Sequence, residues 1–367
     1  MTTAEIRRLN RATLDRQLLL HRSSVSTMDA VARLVGLQAQ AANAPYLGLW
    51  SRLTGFAPDD LTGLLEDRSV VRSSTLRGTQ HIVAGADYPW LRPLVAPTLA
   101  RGRQAAFGRV TKGVDLAELA TVGESLLAGR TLTRPQLRDL LAPRWPDAEP
   151  DALAWSVQCL VPVVHPPPNG TWRRGGTTPF ALATEWLGRP LEEPDPARLV
   201  RRYLAGYGPA TVRDMRMWSG VTGLGEVVAA MPDLVRFDGE RYDLPNMAYP
   251  DPDTPAPVRL LPEFDNLIVA YADRTRLMPD EYRKRICVGS MIAPTVLVDG
   301  TVRGSWQLRR SRDRATDRAT DRATDRATLS VELFERLPAA DHAEVEAEAL
   351  RLLEFAAPEV ERELVWT

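Results

Sequence analysis

The feature that most constrains this chain is a rhythm that returns three times, a helical block closed by a short pair of strands. In the first block Ser26-Thr27-Met28-Asp29 resembles a capping box with Asp in the place of Glu. It opens a helix whose Ala30, Val31, Leu34, Val35 and Leu37 share one face. Gly36 and Asn43-Ala44-Pro45 punctuate it, and Pro45 suits the first turn of a second helix reaching Leu53. Ser69-Val70-Val71-Arg72 and Gln80-His81-Ile82-Val83 then read as strands flanking Thr75-Leu76-Arg77-Gly78. In the second block Thr133 caps a helix through Leu137, Leu140 and Leu141, and another helix holds Ala152, Trp155, Val157 and Leu160. Its ribbon is expected to pair Val163-Val164-His165 with Thr171-Trp172-Arg173-Arg174 across Pro166-Pro167-Pro168-Asn169-Gly170. The third block is the clearest. Tyr207-Gly208-Pro209-Ala210-Thr211 opens a helix, Trp218-Ser219-Gly220 leads into another, and strands at Leu234–Phe237 and Arg241–Leu244 meet across Asp238-Gly239-Glu240.

Helices followed by a two-stranded ribbon are the winged-helix plan. The expected architecture is therefore α+β, tandem winged-helix (helix-turn-helix) units followed by a C-terminal β-rich region with a terminal helix. Texture places the units at residues 1–110, 111–195 and 196–248. From about Tyr249 the prolines Pro250, Pro252, Pro255 and Pro257 stiffen a linker into the region 249–367. There Asp299-Gly300 between Val298 and Val302 signals a hairpin, and a helix from Asp341 to Phe355 closes the sheet. Val221-Thr222-Gly223-Leu224-Gly225 has the kernel of a phosphate-binding helix-hairpin-helix. Its place after Trp218-Ser219-Gly220 makes it the turn of the third unit instead.

Composition excludes more than it proves. The chain has 367 residues, 44% hydrophobic and 25% charged, enough for a real core. The start Met1-Thr2-Thr3-Ala4-Glu5-Ile6-Arg7-Arg8 lacks an apolar signal core, and no run is long and apolar enough to span a membrane. The expectation is a cytoplasmic protein, nucleoid-associated when acting, with no membrane partner. Cys159 and Cys287 stand far apart and His21, His81, His165 and His342 are scattered, so no metal site or other cofactor is expected. Net charge is −1, yet of 46 basic residues only Lys112 and Lys284 are lysine. Arginine grips phosphate in bidentate fashion, which suits DNA, while a GC-rich genome explains the same bias.

Asp-Arg-Ala-Thr occurs four times from Asp313 to Thr328, just after Arg309, Arg310 and Arg312. One reading is a solvated expansion inside a hairpin; the other is an arginine-bearing finger that reaches a DNA groove. Trp50, Trp90, Trp218 and Trp306 sit amid Leu and Val and read as core.

The most informative stretch for chemistry is Leu37-Gln38-Ala39-Gln40-Ala41, read with Arg77-Gly78-Thr79-Gln80-His81. Two neutral amides stand where a hydrolase usually places a carboxylate, a histidine or a nucleophile. Residues two apart on a regular helix point about 200° apart, so the two share a site only near a helix end or distortion. Arg77 and His81 read either as phosphate or lesion contacts from the first ribbon, or as a strand-end salt bridge beside a satisfied histidine.

Over essentially its whole length the chain resembles the bacterial winged-helix DNA glycosylases of the AlkZ/YcaQ type. The resemblance rests on Leu37-Gln38-Ala39-Gln40, Leu76-Arg77-Gly78-Thr79-Gln80-His81, Gly208-Pro209-Ala210-Thr211 with Trp218-Ser219-Gly220, Leu261-Pro262-Glu263-Phe264-Asp265 and Val298-Asp299-Gly300. It implies that Gln38 and Gln40 are the catalytic motif, in the Gln-x-Gln form associated with bulky cationic adducts and interstrand crosslinks. The repeat insertion departs from the family pattern. The implied partner is double-stranded DNA containing alkylated purines, bound by a monomer, with Arg77, His81, Arg309, Arg310 and Arg312 as DNA-binding candidates. The chemistry fits the amides. Alkylation at N7 or N3 makes the base cationic and a good leaving group, so it needs no acid, and two amide oxygens can hold the water that meets the oxocarbenium-like sugar. No lysine lies near the motif, so Schiff-base lyase chemistry is not expected. A non-catalytic winged-helix transcriptional regulator is the alternative.

Overall fold

A computed structural model describes residues 2–313 and 324–367. The first unit runs α1 (Thr3–Arg16), α2 (Thr27–Arg33), β1 (Leu37–Gln38), α3 (Ala44–Arg52), α4 (Pro58–Glu66), β2 (Val70–Ser74) and β3 (Gln80–Ala84), and the long α5 (Tyr88–Phe107) leads out of it. Ser26 caps α2 by accepting from the Asp29 N–H. The helix nevertheless stops at Arg33. Val35 at φ 59° and Gly36 at φ 118° turn the chain back, and Leu37 with Gln38 becomes a strand. Only glycine fits at position 36, where a Cβ would lie 2.8 Å from Val83 Cγ1.

The second unit repeats the order with α6 (Leu116–Leu127), β4 (Leu132–Thr133), α7 (Arg134–Leu141), α8 (Pro150–Leu160), β5 (Val163–Val164) and β6 (Pro179–Leu182), then α9 (Ala183–Leu187). Its sheet order, β4-β6-β5, mirrors the β1-β3-β2 of the first unit. The expected partner strand at Thr171–Arg174 is corrected, because β5 pairs with β6. Trp172 is instead drawn against Tyr46 and Phe355, and the Arg173 guanidinium donates to the Ala356 carbonyl and pairs with Glu359. The third unit holds α10 (Pro196–Tyr207), α11 (Val212–Ser219), α12 (Leu224–Ala229), β7 (Val235–Arg236) and β8 (Tyr242–Asp243). A bridge between Ala210 and Tyr242 stands where the other units have their first strand. Thr211 and Asp214 form the capping box of α11.

The rest is built on β9 (Arg259–Leu261), α13 (Asp280–Ile286), the small hairpin β10 (Cys287–Val288) and β11 (Met291–Ile292), then β12 (Thr295–Val298), β13 (Thr301–Asp313), β14 (Thr324–Leu333), α14 (Ala339–Ala356) and β15 (Glu361–Trp366). Asp299 at φ 45° and Gly300 at φ 77° make the tight turn joining β12 to β13. The five-stranded sheet has the order β15-β14-β13-β12-β9, with β15 parallel to β14. Helix α14 covers one face through Val345, Ala349, Leu352 and Leu353, against Trp306 and Val331.

One apolar core threads the units, taking in Leu14, Val83, Val164, Tyr207, Trp218, Leu261 and Val302. Two buried ion pairs fix the units against each other. Arg16 grips both oxygens of Asp243 at 2.8 Å, and Arg52 grips Asp265 at 2.8 and 2.9 Å. Removing one member of such a pair strands a buried charge, at a cost of about 3–5 kcal/mol. The pairs therefore set orientation more than they add net stability.

Candidate active site

The glutamines lie at the meeting point of the first unit, the third unit and the turn after β9. Gln38 pairs with His81 across β1 and β3, and the Ala39 N–H donates to the Gln80 carbonyl at 2.7 Å, so the extended chain continues past the strand. Side chains two apart on an extended chain point the same way. Gln38 and Gln40 thus come together without the helix end or distortion that sequence periodicity required. The Gln38 amide nitrogen donates to Gln40 Oε1 at 3.3 Å. Gln38 is buried, 8% exposed, whereas Gln40 faces solvent.

Arg77 organises this pair. It sits at φ 54° in the turn Leu76–Gly78. Its guanidinium donates to Gln38 Oε1 at 2.8 Å, to the Trp218 carbonyl and to Asn266 Oδ1 at 3.4 Å. A guanidinium has donors only, so the atom of Gln38 that faces it is the oxygen, and the NH2 group is left to face Gln40. Burial pulls Arg77 down to about 10, which still leaves it charged at neutral pH. The result is a polarised chain from Arg77 to Gln38 to Gln40. The outer amide presents its NH2 and its second oxygen lone pair to solvent. Gly220, at φ 76°, closes α11 against this turn, where a Cβ would meet Thr98 Cγ2 at 2.9 Å and Arg77 Cα at 3.2 Å.

His81 is corrected from a DNA contact to a buried support, with its ring fully enclosed. Its Nδ1 lies 3.0 Å from the Thr79 carbonyl and its Nε2 has no partner. Burial and then the Arg77 charge push it down to about 3, so it is neutral at physiological pH.

Sequence reasoning missed Arg72 and Asn266. Arg72, on β2, donates twice to the carbonyl of Ala39, the residue between the glutamines, at 3.1 and 3.0 Å. It also bonds Gln80 Oε1 and, across to the second unit, Asn169 Oδ1 at 3.0 Å. Burial brings it down to about 10. The one available signal was a charged residue at an inward position of an otherwise buried strand. Asn266 donates to the Gly36 carbonyl at 2.8 Å, and Asn43 accepts the Arg173 N–H at 2.8 Å. Asn266 was hidden by its sequence distance from the motif.

Among the described residues the hairpin candidates make no bond to the glutamines or to Arg77, although Arg310 shares Glu359 with Arg173. Arg309 and Arg310 are exposed on β13, opposite Thr328 and Ala327. Arg310 is tied to Glu359 at 2.9 Å, while among the described residues Arg309 bonds only the neutral Gln307 at 3.1 Å. The side chain of Arg312 and the repeat residues 314–323 lie outside the described residues. Trp90, Trp218 and Trp306 are core, and Trp50 stacks on Phe355 beneath Arg22. Gly223, at φ 78°, starts α12, in keeping with a structural turn. Among the described residues no cluster of three or more His, Cys, Asp or Glu is arranged to hold a metal, and no helix is long and apolar enough to cross a membrane.

The depression that Gln38 lines, walled by Pro45, Pro262, Glu263, Phe264 and Asn266, is shallow and leaves only about 10 Å³ for the centre of a water molecule. That is the space of about one water.

Comparison with known proteins gives a consistent set of matches. The family described as DNA glycosylase AlkZ-like matches residues 31–355. A Streptomyces sahachiroi protein named Interstrand DNA cross-link repair glycosylase is 25% identical over 333 residues, covering 80% of this chain and 85% of its own. The solved structure of Streptomyces sahachiroi DNA glycosylase AlkZ is alike in fold, with a TM-score of 0.79 at 23% identity and 100% of both chains covered.

Proposed function

Because the chain belongs to the AlkZ-like family of DNA glycosylases, we propose that it hydrolyses the N-glycosidic bond of cationic N7- or N3-alkylated purines in double-stranded DNA and leaves an abasic site. The observation that carries this reading is the relay from Arg77 through Gln38 to Gln40, a polarised pair of amides with no general base inside it. The amides themselves orient a water and do little to ionise it, and the bond they act on is one that the lesion has already weakened. An unmodified purine lacks the positive charge that makes it leave, and discrimination follows from that charge. Gln40 is the amide that meets the water, since Gln38 Oε1 is engaged by Arg77.

The repeated order of helix, strand, two helices and two strands supports reading the units as tandem winged helices. DNA would then lie across their shared surface. The depression beside Gln38 is smaller than the roughly 300 Å³ at which small-molecule pockets begin, which favours attack on a lesion left in the duplex over extrusion into a pocket. By the same reasoning bulky N7 adducts and crosslinked bases are substrates, as the name of the Streptomyces sahachiroi relative says of that protein. On this reading Arg309 contacts phosphate from the hairpin, and Arg310 and Arg312 remain further candidates.

The test is release of the modified base from a duplex carrying N7-methylguanine, scored as alkali-sensitive sites. Wild type is expected to release it and Gln40→Ala to lose release, with no adduct trapped by borohydride. Tight binding without release on this and a bulkier N7 adduct would overturn the proposal in favour of a binding protein.

A further inference from the structure

The mechanism above leaves one group unused. Glu263 stands on the turn after β9 and lines the same depression as Gln38. It is half-buried, and among the described residues no hydrogen bond or ion pair holds it. Carboxylates in such places are normally paired, because removing a charge from water is costly. The two residues that follow make the placement firm. Phe264 is held at φ 59°, a region that non-glycine residues rarely occupy, and Asp265 is clamped by both nitrogens of Arg52. An unpaired carboxyl on a strapped, strained turn, facing the space beside a catalytic amide, is a feature that stability alone does not account for.

We propose that Glu263 is a further catalytic residue, the general base that completes the work of the glutamines. The inference rests on the glycosylase reading. Neither amide can accept the water's proton, whereas the carboxylate that shares the depression with Gln38, the partner of Gln40, can. In the step assigned here the water oxygen bonds to C1′ of the deoxyribose as the C1′–N bond to the base breaks. The bonding pair leaves with the base and neutralises its positive charge, and the water proton passes to Glu263. Desolvation raises the pKa of this carboxyl, which makes it a stronger acceptor than an exposed glutamate. Before attack the same negative charge faces the oxocarbenium-like sugar and stabilises it.

The test is single-turnover release of N7-methylguanine by Glu263→Gln, together with the thermal midpoint. Replacing an unpaired, half-buried carboxyl by a neutral amide is expected to slow release about 100-fold. Duplex affinity should not change, and the thermal midpoint should hold or rise. Added formate, a small carboxylate, is expected to restore part of the rate in Glu263→Ala, which a structural role would not predict. Release by Glu263→Gln within twofold of wild type, or no formate rescue in a folded Glu263→Ala, would overturn the assignment. If wild type itself releases nothing, the glycosylase reading falls; if wild type releases base and Glu263→Gln is unimpaired, this inference alone falls.

Discussion

The first and second units share one topology, and they differ most where the first carries its glutamines. In the second unit β4 runs straight into α7. Thr133 ends the strand and caps the helix, and Gln136 Oε1 returns to the Thr133 N–H at 2.8 Å. Thr133 and Gln136 spend their polar groups on each other. In the first unit Gln38 holds the place of Thr133, each facing the last strand of its sheet, but residues 39–43 intervene before α3. Asn43 makes no side-chain cap there and gives its oxygen to Arg173 of the second unit. The glutamines are left to each other and to Arg77. On the proposed reading, the same corner serves packing in one unit and chemistry in the other, which fits the expectation that local rules are broken at functional sites.

The largest effect should come from the relay. Arg77→Met removes the donor to Gln38 Oε1 and strands the Trp218 carbonyl, so base release is expected to fall about 100-fold, with a stability loss of about 1–3 kcal/mol. Thr133→Ala, at the matching corner, should leave single-turnover release unchanged. Equal catalytic losses in the two variants would break the comparison.

The buried histidines give the next effect, and here the units agree. His81 and His165 both sit near a pKa of about 3, each with Nδ1 on a backbone carbonyl and Nε2 unpartnered. Their folded values lie below the ordinary value of about 6.5, so the unfolded chain takes up protons first as pH falls. Stability is complete above about pH 6.5 and declines towards pH 3, by up to about 1.4 kcal/mol per pH unit for each histidine. Urea midpoints against pH should therefore flatten by similar amounts in His81→Gln and His165→Gln. A flat profile in wild type would contradict the burial of both rings.

Much of this architecture was legible because its signals are local. The caps at Ser26 and Thr133, the helix start near Thr211 and the turn at Asp299-Gly300 each depend on residues within one turn of chain. The strand at Leu37–Gln38 was not, since Leu37 continues the apolar period of α2, and the reversal at Val35 and Gly36 leaves no mark in that period. The partner strand of the second unit was misplaced for a different reason: Trp172 looked like a strand residue, and the C-terminal helix claims it. The glutamines were found through a family resemblance. Arg72 and Asn266 were not found, because what they hold are backbone carbonyls far away in sequence.

Smaller effects sharpen the contrast. Thr133→Ala should cost about 1 kcal/mol through the lost cap, read as a shift in urea midpoint. Arg309→Ala should weaken binding to undamaged and damaged duplex alike and lower the slope of log affinity against log salt by about 0.9, the mark of one phosphate contact. An unchanged slope would remove Arg309 from the DNA surface.

The central claim is that Arg77, Gln38 and Gln40 act as one unit, and a double-mutant cycle tests it most directly. Single-turnover release of N7-methylguanine would be measured for Gln40→Ala, for Arg77→Met and for the two together, all at saturating enzyme. If Arg77 acts only through the amides, the double variant is no slower than Gln40→Ala alone. Losses that multiply would show two independent contributions and contradict the relay.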